Sequence, residues 1–352
     1  MKRILLGDTH FDANNSDKAV FEQQIKFFKE QLFPYMKENN ITEILQLGDI
    51  TDNRTKISLY VQHRLKEEFF NYLKENNINI TILVGNHDIY YKTNRDIYSL
   101  EIFEKAYDNI TVIKDLQIID DLALIPWLCN KEDEEKLVQL VSQKPKAVFG
   151  HFELKDFYVS KTYKATHGLD GNIFKGIKVF SGHYHSPQKN NNINYIGTPF
   201  QDNWSSFGEQ RGFYILDENL ETSFIENTVT SKHYKVQVNS VTKTIEVTDG
   251  ITTEEYKVTK FDYSILKNNK VKLFLDKDNA YNKRVTLKII DEVMSYKIQI
   301  LEETEDVEVT KVEDIVTYDI GAAIGTMLES EYQKEVYNNI LNKSKSELKE
   351  VE

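Results

Sequence analysis

The sequence predicts an α/β protein: layered strands and helices first, then a smaller α+β unit, then a helical tail. Three observations predict this. Five short runs rich in β-branched and aliphatic residues each end in a glycine followed by Asp, Asn or His. Apolar residues at helical spacing separate the first three runs. Beyond about residue 186 short alternating segments take over, as antiparallel strands require.

The five runs are Arg3–Leu6 before GDTH, Ile44–Leu47 before GDITD, Ile80–Val84 before GNHD, Ala147–Phe149 before GHF, and Lys178–Ser181 before GHYH. Continuous apolar runs of this length suit strands buried on both faces. Ligand-type residues at the C-terminal ends of such strands stand where α/β sheets place their chemistry. Between the runs, Phe21, Ile25, Phe28, Leu32 and Met36 mark one helix over 18–37, which Pro34 should kink or end early. Ile57, Val61, Leu65, Phe69 and Tyr72 mark a second. An ENN stretch follows each and suits a helix C-terminus and turn.

Residues 190–194 read as a hairpin turn, with strands at Tyr195-Ile196 and 212–216 after it. Segments 234–238, 245–247, 256–258 and 271–275, with a helix over 283–293, make a second domain over 229–305. In the tail, 306–352, Leu328, Tyr332, Val336 and Ile340 form an apolar stripe on a charged helix. Too few companions exist there to close a core, so the stripe reads as a docking arm; a helix folded back on the second domain is the competing reading.

Composition narrows the function classes. The 352 residues are 40% hydrophobic, with Cys129 as the single cysteine. A disulfide framework and a thiolate zinc cluster are thereby excluded, and Cys129 itself reads as a small buried residue at a strand end. No apolar run approaches the ~20 residues that span a bilayer, so a soluble cytoplasmic protein is expected. The net charge of −12 is concentrated in residues 301–352, which hold 14 Asp/Glu and 5 Lys/Arg. Weak autonomous DNA binding is expected from that balance, but DNA as a substrate is not excluded.

The strand-end motifs supply Asp8, His10, Asp49, Asn86, His151, His183 and His185. Seven N/O ligands are too many for one tetrahedral ion and suit two ions sharing a carboxylate. Two ions roughly 3.5–4 Å apart activate water and clamp phosphate oxygens, which is the chemistry of phosphate-ester hydrolysis.

The ordered set GDTH, GDITD, GNHD, GHF and GHYH resembles the five motifs of the calcineurin-like metallophosphoesterases. Within them it is most similar to the nuclease subunits of SbcC–SbcD-type DNA-repair complexes, including the recombination nucleases of tailed bacteriophages. The resemblance spans about 1–228, where GTPFQ and RGFYILD look like closing strands. It implies a two-sheet metallophosphoesterase sandwich flanked by helices over 1–228, a small α+β DNA-capping domain over 229–305, and a helical arm over 306–352 that docks on an SMC-like ATPase.

Position by position, it implies that Asp8, His10 and His185 bind a first ion, that Asp49 bridges, and that Asn86, His151 and His183 complete a second. His87 would stabilise the transition state or protonate the leaving oxygen, and the second ordinary role of a histidine here is that of a surface residue. Asp52 stands where many repair nucleases carry histidine; it is expected to orient His87, with a helix N-cap as the alternative. The resemblance further implies Mn²⁺ (Mg²⁺ as the alternative), 3′→5′ exonuclease action on duplex ends, single-strand endonuclease action, and a homodimer through helices near 57–107. Lys92, Asn94 and Arg95 are candidate DNA-backbone contacts, against the commoner reading as solvated polar residues. Protein phosphatases of the superfamily carry GDxVDRG and GNHE, whereas this chain has GDITDNR and GNHD. A stand-alone phosphodiesterase acting on small nucleotides is the alternative function.

Overall fold

The computed structural model describes residues 2–301, so the docking-arm segment 306–352 lies outside the described residues. Strands β1 (Arg3–Leu6), β2 (Glu43–Gln46), β3 (Asn79–Leu83) and β4 (Ile110–Ile113) run parallel. β5 (Gln117–Ile119), β6 (Leu122–Ile125) and β7 (Ala147–His151) begin a second sheet, and β8 (Tyr158–Ser160) with β9 (Tyr163–Lys164) forms a separate hairpin. β10 (Lys178–Gly182), β11 (Gln188–Asn190) and β12 (Ile193–Tyr195) complete the second sheet, in the order β11-β12-β10-β7-β6-β5. β13 (Gly212–Leu216) and β14 (Thr222–Glu226) return to the first, giving β14-β13-β1-β2-β3-β4.

The alternation of side chains along these strands produces a four-layer sandwich. Leu5, Leu45, Leu83, Leu124, Phe149 and Phe180 meet between the sheets. Ile4, Leu6, Ile44, Ile80 and Ile82 point the other way, against a helical layer rich in phenylalanine. Ala123, Ile125, Val148 and Val179 cover the outer face of the second sheet with Leu137 and Val141, which belong to the helix Lys131–Ser142. Both faces of the central parallel strands are buried, which explains their unbroken apolar composition.

The first helix starts at Lys18, where the Asp17 carboxylate accepts from the N–H groups of Ala19 and Val20. It does not end early at Pro34. A π turn over Phe28–Leu32 widens the helix, so that the Phe33 N–H donates to the Phe28 carbonyl, and helix continues over Phe33–Glu38. Pro34 has no N–H to give the carbonyl four residues back, yet the second helix widens in the same way over Lys66–Phe70 with no proline, so the π turn is not specific to Pro34. The second helix begins at Leu59 behind the Ser58 cap rather than at Ile57. Both ENN stretches end their helices alike: Asn40 and Asn77 take φ 52° and 53°, and the Ile41 and Ile78 N–H groups bond back to Met36 and Leu73.

β15 (His233–Asn239), β16 (Thr244–Thr248), β17 (Thr253–Lys257), β18 (Lys270–Leu275) and β19 (Ser295–Ile300) form a third sheet. Its inner face packs Val236, Val238, Val271, Leu273 and Leu275 against Val285 and Ile289 of the helix Ala280–Ile290. This sheet has its own core, yet Met1–Glu302 group as one compact unit.

Candidate metal centre

Neighbouring parallel strands β1, β2 and β3 bring their C-terminal ends together at one edge of the first sheet. β7 and β10 do the same in the second, paired from Lys178↔Ala147 to Gly182↔His151. Because the sheets face each other, the five loops converge. Close packing there excludes side chains at the glycines: a Cβ on Gly85 would lie 2.2 Å from Asp49 Oδ1, and one on Gly182 2.7 Å from Asp8 Oδ1. His10, Asp49 and His183 take φ 45°, 53° and 85°, left-handed values that cost energy in non-glycine residues and concentrate at functional sites.

All seven sequence-predicted ligands meet, and they form two groups. In one, His10 Nε2 lies 2.9 Å from His185 Nε2. In the other, His151 Nε2 and His183 Nδ1 lie 3.0 and 2.9 Å from Asn86 Oδ1. Asp49 Oδ2 stands between them, 3.8 Å from His10 Nε2 and 3.2 Å from His151 Nε2. Asp8 is fully buried and accepts the His183 N–H at 3.1 Å on both oxygens. His183 therefore lies with the second group and His185 with the first, as a turn after Gly182 permits.

The donor set fits a pair of divalent ions. Asp8 and Asp49 are buried carboxylates whose ion-pair partners are the histidines His151 and His10, and buried charge needs such compensation. Ring nitrogens are also held for ligation: His151 Nδ1 donates to the Leu47 carbonyl at 2.7 Å, which leaves Nε2 directed at the centre. His10, Asp52 and His87 likewise bring ligand atoms within 4.8 Å of one another, as do Asp49, His151 and His183. The Nε2 side of His10 is the better ion position, because His87 Nδ1 is committed to a carbonyl and Asp49 joins the groups only on that side.

Without metal, His10 and His151 hold protons, whereas burial lowers His183 to about 3. Burial pulls the His10 imidazole down, but the Asp52 contact and the Asp49 and Asp8 charges outweigh it and raise the value to about 9. His151 likewise reaches about 9, burial being overcome mainly by Asp49. Asp49 is held well below the carboxylate range: burial opposes ionisation, but the charges and hydrogen bond of its histidine neighbours outweigh it. The unfolded value for histidine is near 6.5. The stabilisation from these raised groups is therefore complete below about pH 6.5 and lost as pH rises through about 9. The melting temperature of the metal-free chain is therefore expected to fall from about pH 7 to about pH 10. Mn²⁺ binding at neutral pH should release protons, measurable by titration in buffers of different ionisation enthalpy; binding without release would contradict the assignment.

Two sequence expectations need correction. The Asp52 carboxylate does not hold His87; its Oδ1 lies 3.9 Å from His87 Nδ1 but 3.2 Å from His10 Nδ1. The Asp52 backbone carbonyl holds His87 instead, accepting from Nδ1 at 2.6 Å. Asp52 is no helix cap either, since the following helix is capped by Ser58.

Arg95 is the second correction. Its guanidinium forms a two-pronged pair with Asp133 at 2.6 and 2.8 Å and also donates to the Trp127 carbonyl. Both side chains of the pair are only 11% exposed, so Arg95 is a structural clamp rather than a free DNA contact. Removing it as Arg95→Met leaves Asp133 buried and unpaired, an expected loss of roughly 3–5 kcal/mol in urea unfolding. A variant with wild-type stability and weakened DNA binding would make Arg95 a DNA contact after all. Lys92 is exposed and Asn94 half-buried on the same loop. Cys129 is half-buried rather than buried, its N–H donating to Asp133.

Asp202 escaped the sequence reading. It accepts from His185 Nδ1 at 2.9 Å, and an aspartate seventeen positions after its partner, outside any motif, carries no signal of that contact. Trp127 was also missed as a wall of the second group, its ring 5.0 Å from His183.

A sandwich with six ligand-type side chains gathered at one end around the Asp49 carboxylate is the architecture of a metal-dependent phosphodiester hydrolase. The chain belongs to the calcineurin-like phosphoesterase family, whose model matches residues 1–187. It is 31% identical over 340 residues to Exonuclease subunit 1 of Enterobacteria phage T4, an alignment covering 92% of this chain and 93% of that protein. Among solved structures, Pseudomonas putida nuclease MPE aligns at 13% identity over 60% of this chain and 83% of its own, with a TM-score of 0.33. That likeness is too slight to bear on function. Among the described residues no helix is long and apolar enough to cross a membrane.

Proposed function

We propose that the chain is a two-metal DNA nuclease, working as one subunit of an assembly with an SMC-like ATPase. The observation that carries this is Asp49 standing between an imidazole pair and an imidazole–Asn group, in a chain related to a phage exonuclease subunit. Asp8, His10 and His185 hold the first ion, Asn86, His151 and His183 the second, and Asp49 serves both. Mn²⁺ is the preferred metal, with Mg²⁺ as the alternative. When bound, the ions supply positive charge to the phosphate and activate water for attack.

The chain's own residues do the rest. His87, whose Nδ1–H donates to the Asp52 carbonyl, keeps its Nε2 to stabilise charge on the phosphate or protonate the leaving oxygen. Asp52 orients His10 by its carboxylate and His87 by its carbonyl. Residues 1–228 form the nuclease domain, 229–305 cap the DNA, and 306–352 dock on the ATPase. Helices near 57–107 join two copies. Lys92 and Asn94, on the loop after the GNHD motif, contact the DNA backbone.

The third sheet supports a polyanionic substrate over a small nucleotide. Lys235, Lys272 and Lys297 lie directly opposite one another on three adjacent strands. Like charges in register destabilise a sheet, so the row is best explained by an anionic partner. The Trp204 ring lies under Lys272 at 4.3 Å and Phe207 under Lys235 at 4.5 Å, an aromatic–basic mixture that suits nucleic acid. The acidic pair Glu246↔Glu255 sits toward the other edge of the sheet.

The test is an Mn²⁺-dependent assay comparing duplex DNA, single-stranded DNA and a chromogenic phosphodiester. Expected are 3′→5′ degradation of duplex ends and endonucleolytic cutting of single strands. Activity on the small ester alone would overturn the nuclease reading in favour of a small-nucleotide phosphodiesterase.

A further inference from the structure

Asp202 lies beyond the residues 1–187 matched by the family model, in the loop that leads from the second sheet back to the first. Its carboxylate Oδ2 accepts from His185 Nδ1 at 2.9 Å, and its Oδ1 accepts the Asn203 N–H at 2.9 Å. Its carbonyl accepts from Lys270 Nζ at 3.3 Å, and Lys270 opens strand β18 of the third sheet. The loop is therefore held at side chain and backbone alike.

His185 is pinned from two directions. Its carbonyl accepts from the Thr198 N–H at 3.1 Å and from the Arg211 guanidinium, which fixes the backbone. The ring is held at Nδ1 by Asp202, and its Nε2 faces His10 Nε2 at 2.9 Å. The ring of His151 is oriented by a neutral carbonyl, that of Leu47. His185 instead donates its far nitrogen to an ionised carboxylate, which sets the tautomer and makes Nε2 a stronger electron donor. The pair is about one-third exposed on each side, so as a salt bridge it adds little stability; its consequence lies in orientation. Asp202, His185, His10 and Lys270 all line one cavity of about 260 Å³.

We propose that Asp202 is a positioning residue for the first metal position, holding His185 with Nδ1 protonated and Nε2 presented to the ion. This rests on the two-metal assignment made above. The test is Mn²⁺ titration of the full chain, followed by electron paramagnetic resonance, for wild type, Asp202→Ala and Asp202→Glu. Wild type should take two ions. In Asp202→Ala one of them should weaken by about 10–100-fold while the other is unchanged, and Asp202→Glu should recover part of the loss. In the metal-free chain, ¹⁵N spectra should show His185 protonated at Nδ1 in wild type and a mixture of tautomers in Asp202→Ala.

Two unaltered affinities in Asp202→Ala would overturn the inference and leave the two-metal reading intact. Equal weakening of both ions with a lower metal-free melting temperature would make Asp202 a merely structural residue, which also overturns it. A wild-type chain that takes up no pair of ions would overturn the two-metal reading itself.

Discussion

Replacing His87 with glutamine is expected to lower turnover by about 10²–10⁴-fold, the usual worth of a positioned acid–base group, while two Mn²⁺ ions still bind. The separation follows from the geometry. His87 is tied into the centre by its backbone, whose N–H donates to Asp49 Oδ1 at 2.7 Å, and the substitution leaves that bond in place. Its ring lies at the rim, 37% exposed and edge-on to His10 at 4.9 Å, with Nδ1 committed to the Asp52 carbonyl. Kinetics paired with metal analysis decide the matter: loss of an ion in His87→Gln would make His87 a ligand. Because a carbonyl holds the ring, Asp52→Asn should not copy the His87→Gln defect.

Asp49→Asn is expected to do more damage, lowering activity by at least about three decades, because several kcal/mol of charge stabilisation go with the ions at about 1.4 kcal/mol per decade. The amide keeps the shape of the side chain and can still accept the His87 N–H, so the change is chiefly one of charge. Asp49 Oδ2 is the atom within reach of both imidazole groups, and both ion positions should weaken together. A second readout needs no metal. Asp49 is a main reason that His10 and His151 are raised to about 9 against burial, so Asp49→Asn should flatten the alkaline fall in metal-free stability. Retained binding of two ions would refute the shared role.

Much of this was legible in one dimension, for identifiable reasons. Buried parallel strands need unbroken apolar runs, and a tight turn behind each needs glycine, so the five strand ends announce themselves. Helix ends were legible where a local residue makes the cap, as at Asn40 and Asn77. Pro34 misled because the helix continues through it, behind a π turn over Phe28–Leu32, with Phe28 and Phe33 buried in the phenylalanine-rich core. Arg95 misled because a basic residue beside a catalytic motif looks free until Asp133, thirty-eight positions away, arrives. Asp52 was half legible. Its importance showed in the motif, but a backbone carbonyl has no letter of its own, and so its hold on His87 did not.

The sequence by itself determined which side chains stand at the strand ends, because strand length, burial and the glycine turns are local properties. Only the tertiary structure decided how they divide. His183 and His185 are two residues apart, yet a left-handed backbone at His183 sends one ring to Asn86 and the other to His10. Asp49 became the shared carboxylate because the two sheets stack with their C-terminal edges together, a relation no stretch of either sheet encodes alone. Asp202 reached His185 by the same long-range packing. Ligand identity is local, whereas ligand grouping depends on contacts between distant segments that form only when the sandwich closes.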